Sequence, residues 1–242
     1  MKNPEKSHCR PQRDWRYERK FVITPWNPHC IDSALGILPG AFSEEFPERW
    51  VNSIYFDDLE FSSLAGNISG ISTRKKYRLR WYGSDNLGPN SRAQFEIKSR
   101  DGNVGKKQIF QVQILREIGS MSQMYRVTRI ARDMTIDTAI AALLSTLHPT
   151  VFVRYERKYY RSEILSCRAT LDSSILYRAL SGFGTSVCKC VLDPRSILEI
   201  KHGVDSDVAL ASILSKLDLR LSRNSKYVTA LLSLSGVGGY CI

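Results

Sequence analysis

Cationic and apolar residues alternate with a period of two in several separate stretches of this chain. The alternating stretches are RYERK at 16–20 and again at 154–158, KYRLRWYG at 76–83 and FEIKSR at 95–100. In a β-strand, residues i, i+2 and i+4 point to the same face, so Lys76, Arg78 and Arg80 share one face and the apolar residues between them share the other. The pattern predicts a β-sheet with one strongly basic face and one apolar face.

Two architectures reconcile several basic faces with an apolar core. In one, antiparallel strands curl into a β-barrel, helices packed outside cover the apolar face, and the cations line a tunnel. Like charges repel strongly in a low-dielectric interior, so such a tunnel must be wet, paired with carboxylates or filled by an anion. In the other, the sheet is open and its basic face lies in bulk water. The alternation alone leaves both architectures open.

The distribution of apolar runs and turn residues predicts an α+β fold. Strands are expected near 15–23, 51–56, 73–82, 92–100, 106–115, 151–161, 166–172 and 187–201. Helices are expected near 30–36, 58–65, 134–147, 205–217 and 225–235. About eight antiparallel strands are enough to close a barrel, which also removes exposed edges. We therefore predict one domain over 15–235, after a disordered N-terminal lead at 1–14 and before a flexible tail at 236–242.

The charge balance limits the kind of partner. The formal net charge is +11 and the sequence pI is about 9.5. Such a surplus favours an anionic partner: nucleic acid, a phosphorylated small molecule, polyphosphate or an acidic membrane surface. Nucleic acid is disfavoured, because the basic faces show no exposed aromatic residues on which bases could stack.

Cysteine use and hydropathy predict a cytoplasmic protein. The six cysteines show no CxxC spacing, and residues 1–15 lack the apolar core of a secretory signal. The longest apolar run in a predicted helix, 139–144, is far too short to cross a bilayer. Any peripheral association with the inner face of a membrane is expected to need a membrane-protein partner or the basic surface.

Eight short motifs occur in an order that resembles a known family. They are RYERK (16–20), SIYFDD (53–58), KYRLRWYG (76–83), FEIKSRDGNVGKK (95–107), VRYERKYY (153–160), RATLD (168–172), LEIK (198–201) and SRNSKY (222–227). The series is similar to the VTC (vacuolar transporter chaperone) domain, the polyphosphate polymerase branch of the triphosphate tunnel metalloenzymes, or CYTH superfamily. The resemblance implies an antiparallel β-barrel tunnel lined by basic residues. It also implies ATP as substrate, inorganic polyphosphate as acceptor and product, and Mn²⁺ or Mg²⁺ as cofactor.

The resemblance further implies roles for individual residues. Contacts to the transferred or bound phosphates are implied for Lys20, Arg78, Arg80, Lys98, Arg157, Arg168 and Lys226. Further ligand contacts are implied for Tyr155, Lys201, Arg223 and Ser225, and for Lys106 or Lys107, between which the motif does not decide. Glu199 of the second EIK matches the metal-binding glutamate. Arg223 stands where the family usually has lysine, which preserves the charge but changes its reach.

These residue types suit phosphoryl transfer. A γ-phosphoryl transition state needs positioning and charge neutralisation, and sites with oxygen ligands suit Mg²⁺ or Mn²⁺. The acceptor, a terminal phosphate of a growing chain, is already anionic, so no protein base is required. If water attacks instead, the site is a triphosphatase, in which Glu18 or Glu96 would orient the water or merely pair with tunnel cations. A non-catalytic subunit that binds polyphosphate or nucleotide is a further alternative.

Overall fold

The structure is a computed structural model that describes residues 16–24, 28–38, 42–88, 91–102, 104–114, 134–135, 138–180, 189–215 and 219–236. Its strands are β1 (Arg16–Ile23), β2 (Ser43–Asp57), β3 (Arg74–Tyr82), β4 (Arg92–Asp101), β5 (Val104–Ile114), β6 (Met134–Thr135), β7 (His148–Ser162), β8 (Cys167–Ala179), β9 (Cys190–Asp193) and β10 (Ser196–Gly203). Its helices are α1 (Pro28–Ile37), α2 (Ser62–Ile68), α3 (Thr138–Ser145), α4 (Asp207–Leu214) and α5 (Lys226–Ser235). The predicted α+β class is confirmed.

The described strands form one curled antiparallel sheet. Their order is β1-β10-β8-β7-β2-β3-β4-β5-β6, with β9 paired to β8. The curl brings β1 back towards the far wall, because Glu18 Oε2 on β1 lies 3.9 Å from Lys98 Nζ on β4. The predicted antiparallel sheet around a charged interior is therefore confirmed. Among the described strands the hydrogen-bonded path runs open from β1 to β6, so side chains close the gap between the walls.

The convex face of the sheet is apolar and lies under three helices. α3 packs Ile140 on a cluster that includes Leu79 and Phe95. α1 and α4 cover β1, β8 and β10, where Leu35 and Leu210 are fully buried. Burial of a large apolar side chain contributes about 1.5–3 kcal/mol, so these clusters stabilise the curl and leave the charged face inside.

The concave face has an apolar part and a charged part. α5 packs on the apolar part, where Tyr227 stacks on Tyr55 with ring centroids 5.3 Å apart. α2 joins the same cluster through Asp57, which accepts hydrogen bonds from the Tyr227 hydroxyl and from two backbone N–H groups in the first turn of α2. The start of α5, at Ser225, therefore opens onto the charged part.

A β-bulge in β8 determines which of its side chains face inward. Val153 of β7 pairs with Tyr177, whereas Arg157 pairs with Asp172, so β8 carries one extra residue between these two pairs. Ser174 lies in this interval with a φ of 51°, in the left-handed region. An inserted residue reverses the alternation beyond it. Both Tyr177 and Asp172 consequently lie on the concave side.

The region between 187 and 203 differs from the prediction. A single strand was expected over 187–201, and this expectation is wrong. β9 ends at Asp193 and β10 begins at Ser196. Pro194 lies between them and has no N–H to donate to a strand ladder, which explains the break.

Two further predictions concern the helices and the chain ends. The helix expected over 134–147 begins only at Thr138, and β6 precedes it as a short pairing with β5.

None of the helices in the described part of the chain has the length and apolar character needed to cross a bilayer. The predicted lead at 1–14 and, apart from Gly236, the predicted tail at 236–242 lie outside the described residues.

Candidate anion-binding site

Charged side chains from six strands and one helix converge on a cavity inside the curled sheet. The cavity measures about 230 Å³ and is lined by nine basic side chains and three glutamates. The basic residues are Lys20, Lys76, Arg78, Arg80, Lys98, Lys107, Arg157, Lys201 and Lys226. The glutamates are Glu18, Glu96 and Glu199. This excess of positive charge in a concave site favours an anionic ligand.

Lys20 on β1 stands opposite Glu199 on β10 and joins two carboxylates. Its Nζ lies 2.8 Å from Glu18 Oε1 and 3.3 Å from Glu199 Oε2. Lys201 Nζ lies 2.7 Å from the other oxygen of Glu199. Burial lowers the pKa of Lys20, but Glu199 and Glu18 outweigh it and raise that pKa to about 12. Burial acts to raise the pKa of Glu199, yet Lys20 and Lys201 hold it well below its usual range.

On the opposite wall, two cations neutralise Glu96 of β4. Arg78 Nε on β3 donates a hydrogen bond to Glu96 Oε2, and Lys107 Nζ on β5 lies 2.8 Å from Glu96 Oε1. Burial acts to raise the pKa of Glu96, but Arg78, Arg80 and Lys107 lower it to about 2. Arg80 donates instead to the Tyr155 hydroxyl, at 3.0 Å. Its buried Nε has no hydrogen-bond partner among the described residues.

Behind the cavity, the fully buried Asp172 holds two more cations. Arg157 donates from Nε and Nη2 to the two carboxylate oxygens, at 2.5 and 2.8 Å. Lys226 Nζ, at the start of α5, donates to Asp172 Oδ2 and lies 4.5 Å from the centroid of the Tyr155 ring, within cation–π range. Burial acts to raise the pKa of Asp172, but Arg157 and Lys226 lower it. The carboxylate therefore stays ionised and orients both cations.

Most of the residues proposed from the motifs lie in this cavity. Its lining contains Lys20, Arg78, Arg80, Lys98, Tyr155, Arg157, Glu199, Lys201, Ser225 and Lys226. Of the two lysines between which the motif did not decide, Lys107 lies in the cavity. Lys106 is exposed and, by the alternation of β5, points to the other face.

Arg168 and Arg223 lie outside the cavity. Arg168 is paired with Lys201 across β8 and β10, but its side chain is 59% exposed and its Nη2 lies 3.0 Å from Glu45 Oε1. It lines a larger groove, of about 1050 Å³, which shares Glu199 and Lys201 with the cavity. Arg223 is exposed in the segment that precedes α5.

Two residues to which the motifs assign no role belong to the site. Asp172 ends RATLD, and a carboxylate on an otherwise basic face is a signal for an ion pair. Lys76 opens KYRLRWYG and shares a face with Arg78, but the sequence does not reveal what it faces. Its Nζ lies 2.9 Å from Ser225 Oγ, and the strand register pairs it with Lys98.

Glu18 and Glu199 fit the requirements of a divalent ion. Both place an oxygen within 3.3 Å of the same ammonium, Lys20 Nζ, so their carboxylates converge on one side of the cavity. No group of three His, Cys, Asp or Glu side chains in the described part of the chain could enclose a metal alone. Mg²⁺ is commonly held by one or two carboxylates together with substrate phosphates and water. The pair therefore suits a metal that binds together with a phosphate ligand.

The curled antiparallel sheet around a basic cavity places this chain in the class of tunnel-like domains. A sequence model of the VTC domain matches residues 16–235. The chain belongs to the VTC domain family, as its motifs predict. No curated protein matches the sequence.

Several solved structures are similar to this chain at low sequence identity. The PH1819 protein from Pyrococcus horikoshii OT3 is 14% identical, with 91% of this chain and 99% of that chain covered and a TM-score of 0.45. A putative adenylate cyclase from Bacillus halodurans is 14% identical, with coverages of 89% and 96% and a TM-score of 0.49. The putative adenylyl cyclase HpAC1 from Hippeastrum, described as having a dominant triphosphatase activity, is 15% identical, with coverages of 90% and 96% and a TM-score of 0.47. All three scores are below 0.5, so membership of the family rests on the sequence match.

Proposed function

We propose that this protein is a metal-dependent polyphosphate polymerase, an ATP:polyphosphate phosphotransferase that moves the γ-phosphoryl group of ATP to a growing chain and releases ADP. The observation that carries the proposal is the cavity lining, in which nine basic side chains surround a volume of about 230 Å³ with three glutamates among them. Polyphosphate is anionic along its whole length, so its charge matches this lining. Membership of the VTC domain family supports the same chemistry.

In the proposed reaction, a terminal oxygen of the polyphosphate chain attacks the γ-phosphorus of ATP. A new P–O–P linkage forms while the bond from the γ-phosphorus to the β,γ-bridging oxygen breaks, and ADP leaves with that electron pair. The attacking oxygen is already anionic at neutral pH, so no protein group has to remove a proton from it. The protein must supply position and charge neutralisation.

The cations of the cavity are oriented before any ligand arrives. Glu96 holds Arg78 on one wall, and Asp172 holds Arg157 on the other. Guanidinium groups offer forked donors to phosphate oxygens, and fixed donors need little reorganisation when the transition state forms. Arg80 also lines the cavity and donates to the Tyr155 hydroxyl, so its guanidinium would add a further positive charge near a bound phosphate.

Glu199 is the proposed ligand of the divalent ion, Mn²⁺ or Mg²⁺, with Glu18 beside it. When bound, such an ion would supply positive charge that stabilises the phosphate oxygens in the transition state. Lys20 joins these two carboxylates in the structure. In the complex, a phosphate oxygen would offer the Lys20 ammonium a further partner beside these carboxylates.

The engaged glutamates favour the polymerase over a triphosphatase on the same scaffold. A carboxylate that orients an attacking water needs a free and basic oxygen. Glu96 instead pairs with Arg78 and Lys107, which hold its pKa at about 2, and Glu18 pairs with Lys20. In the structure both glutamates are ion-pair partners of cavity cations, which supports the proposal.

The proposed setting is the cytoplasm, at the inner face of a membrane. ATP and inorganic polyphosphate are the proposed ligands, nucleic acid is not, and a membrane-protein partner is proposed. Among the described residues, Cys167 is a buried free thiol and Cys190 an exposed one.

The proposal is tested by incubating the purified protein with ATP and Mn²⁺ and following ADP, orthophosphate and long anionic polymer on a gel. Polymer that accumulates together with ADP supports the proposal. If orthophosphate rises in step with ADP and no polymer forms, the protein is a triphosphatase and not a polymerase. If the protein binds ATP without turnover, it is an accessory subunit. Arg78→Ala is expected to abolish polymer formation, whereas Lys106→Ala, at an exposed position, is expected to retain it.

A further inference from the structure

Lys76 occupies a position unlike that of the other lysines of the cavity. Lys20 lies between two glutamates, and Lys107 lies 2.8 Å from Glu96. Lys76 forms no ion pair with any carboxylate in the described part of the chain. Its Nζ is instead 2.9 Å from the hydroxyl oxygen of Ser225, at the start of α5. It is therefore a partly buried amine with a neutral partner.

The groups around Lys76 are mostly cationic. They are Lys20 and Glu18 on β1, Lys98 on β4, Arg74 and Arg78 on β3 itself, and Lys226 at the start of α5. Lys98 lies directly across the strand pair, and like charges directly opposite each other are destabilising. Glu18, the one carboxylate of this set, is already joined to Lys20 and lies 3.9 Å from Lys98. Burial, followed by the charges of Lys20 and Lys98, lowers the pKa of Lys76 to about 7.

We propose that Lys76 is a further phosphate-binding residue, which takes up a proton when a phosphate group enters the cavity. The inference rests on the proposed function, since it assumes a phosphate ligand. A phosphate oxygen would supply the counter-charge that Lys76 lacks, so the protonated form would become the stable one. Binding of the substrate would thus be coupled to proton uptake.

Ser225 is suited to both states of Lys76. A neutral amine can accept a hydrogen bond from the Ser225 hydroxyl, whereas an ammonium can only donate one. On protonation, Lys76 would donate to Ser225 Oγ and to the phosphate, and the serine hydroxyl would be released to donate to the phosphate as well. Uptake of one proton would therefore allow both Lys76 and Ser225, which bind each other in the free protein, to donate hydrogen bonds to the phosphate.

The test is isothermal titration calorimetry with inorganic tripolyphosphate in buffers of different ionisation enthalpy, which reports the protons taken up on binding. Wild type is compared with Lys76→Arg, which keeps a permanent charge, and with Lys75→Arg, at the exposed neighbouring position. At about pH 8 wild type and Lys75→Arg are expected to take up close to one proton more than Lys76→Arg, which should still bind. At about pH 6, where Lys76 is already charged in the free protein, the difference is expected to disappear.

The outcomes separate this inference from the proposed function. Equal proton uptake by wild type and Lys76→Arg at about pH 8, with tripolyphosphate bound by both, would overturn the role of Lys76 and leave the proposed function standing. Failure of the wild-type protein to bind tripolyphosphate would overturn both.

Discussion

Arg157 and Asp172 face each other across β7 and β8, and the guanidinium donates from two nitrogen atoms to the two carboxylate oxygens at 2.5 and 2.8 Å. The same carboxylate, fully buried, accepts a hydrogen bond from Lys226. One acidic residue therefore fixes a cation of the sheet and a cation of α5. The orientation of the site is coupled in this way to the packing of α5 on the concave face.

Replacing Asp172 by asparagine is expected to destabilise the fold. The amide keeps the shape but leaves Arg157 and Lys226 close together without their counter-ion. Loss of one partner from a buried ion pair typically costs about 3–5 kcal/mol, which urea unfolding would measure. Asp205→Asn, at an exposed position, is the control and is expected to change the free energy of unfolding by less than about 0.5 kcal/mol. A loss below about 1 kcal/mol for Asp172→Asn would contradict the assigned role.

The neighbouring lysines of β5 are expected to differ in ligand binding. Lys107→Ala removes a charge from the cavity and should weaken binding of inorganic tripolyphosphate about tenfold or more, since a hydrogen bond to a charged group contributes about 1.5–3 kcal/mol. Lys106→Ala removes the same charge from the outer face and should change the affinity less than about twofold. Calorimetric titration measures both. Equal losses would mean that the overall charge, and not the cavity, sets the affinity.

Glu199 is expected to set the metal requirement. Glu199→Gln keeps the size of the side chain but removes the anionic ligand. We expect the Mn²⁺ concentration for half-maximal turnover to rise about tenfold or more. Glu163→Gln, in the adjacent groove and 76% exposed, is the matched control and should behave as wild type. A wild-type metal requirement in Glu199→Gln would show that the metal ligand lies elsewhere.

The ion pairs of Glu96 predict an acid-sensitive contribution to stability. Its pKa of about 2 lies below the ordinary value of 4.5, so the contribution is fully present above pH 4.5 and is lost as the pH falls towards 2. Glu96→Gln lacks this contribution at every pH. The difference in free energy of unfolding between wild type and Glu96→Gln should therefore shrink on acidification.

Urea unfolding at a series of pH values measures that difference. Glu60→Gln, at an exposed position, is the control and should show no such trend. A constant difference between wild type and Glu96→Gln from about pH 6 to about pH 3 would exclude the ion pairs as its source.

The alternation in the sequence predicted the inward face of β1, β3 and β10, because the period of a regular strand follows from backbone geometry alone. Lys20, Arg78 and Glu199 all line the cavity as that rule requires. Whether a side chain on the inward face also reaches the cavity depends on the strand register and on the curl of the sheet. The sequence of a single strand determines neither. Arg168 shows the difference: it lies on the expected strand face, yet beside Glu45 and outside the cavity.

Asp172 and Lys76 required the structure because their environments are made by distant segments. The bulge at Ser174 reverses the alternation of β8. Strict alternation from the inward-facing Tyr177 would therefore have placed Asp172 on the opposite face. Lys76 meets Ser225 from a segment 149 residues away. Lys76 has no carboxylate partner among the described residues because of how the opposite strands of the curled sheet approach each other. A local sequence pattern does not predict that approach.

Phosphorus NMR of a reaction started with ATP and Mg²⁺, which unlike Mn²⁺ does not broaden phosphorus signals, tests the polymerase assignment most directly. Internal phosphates of a polymer, terminal phosphates and orthophosphate give separate signals, so the fate of the transferred group is read in one spectrum. We predict that a signal from internal phosphates grows in step with ADP while orthophosphate stays low, and that Arg78→Ala shows neither change. Orthophosphate that grows in step with ADP, without internal phosphates, would contradict the assignment.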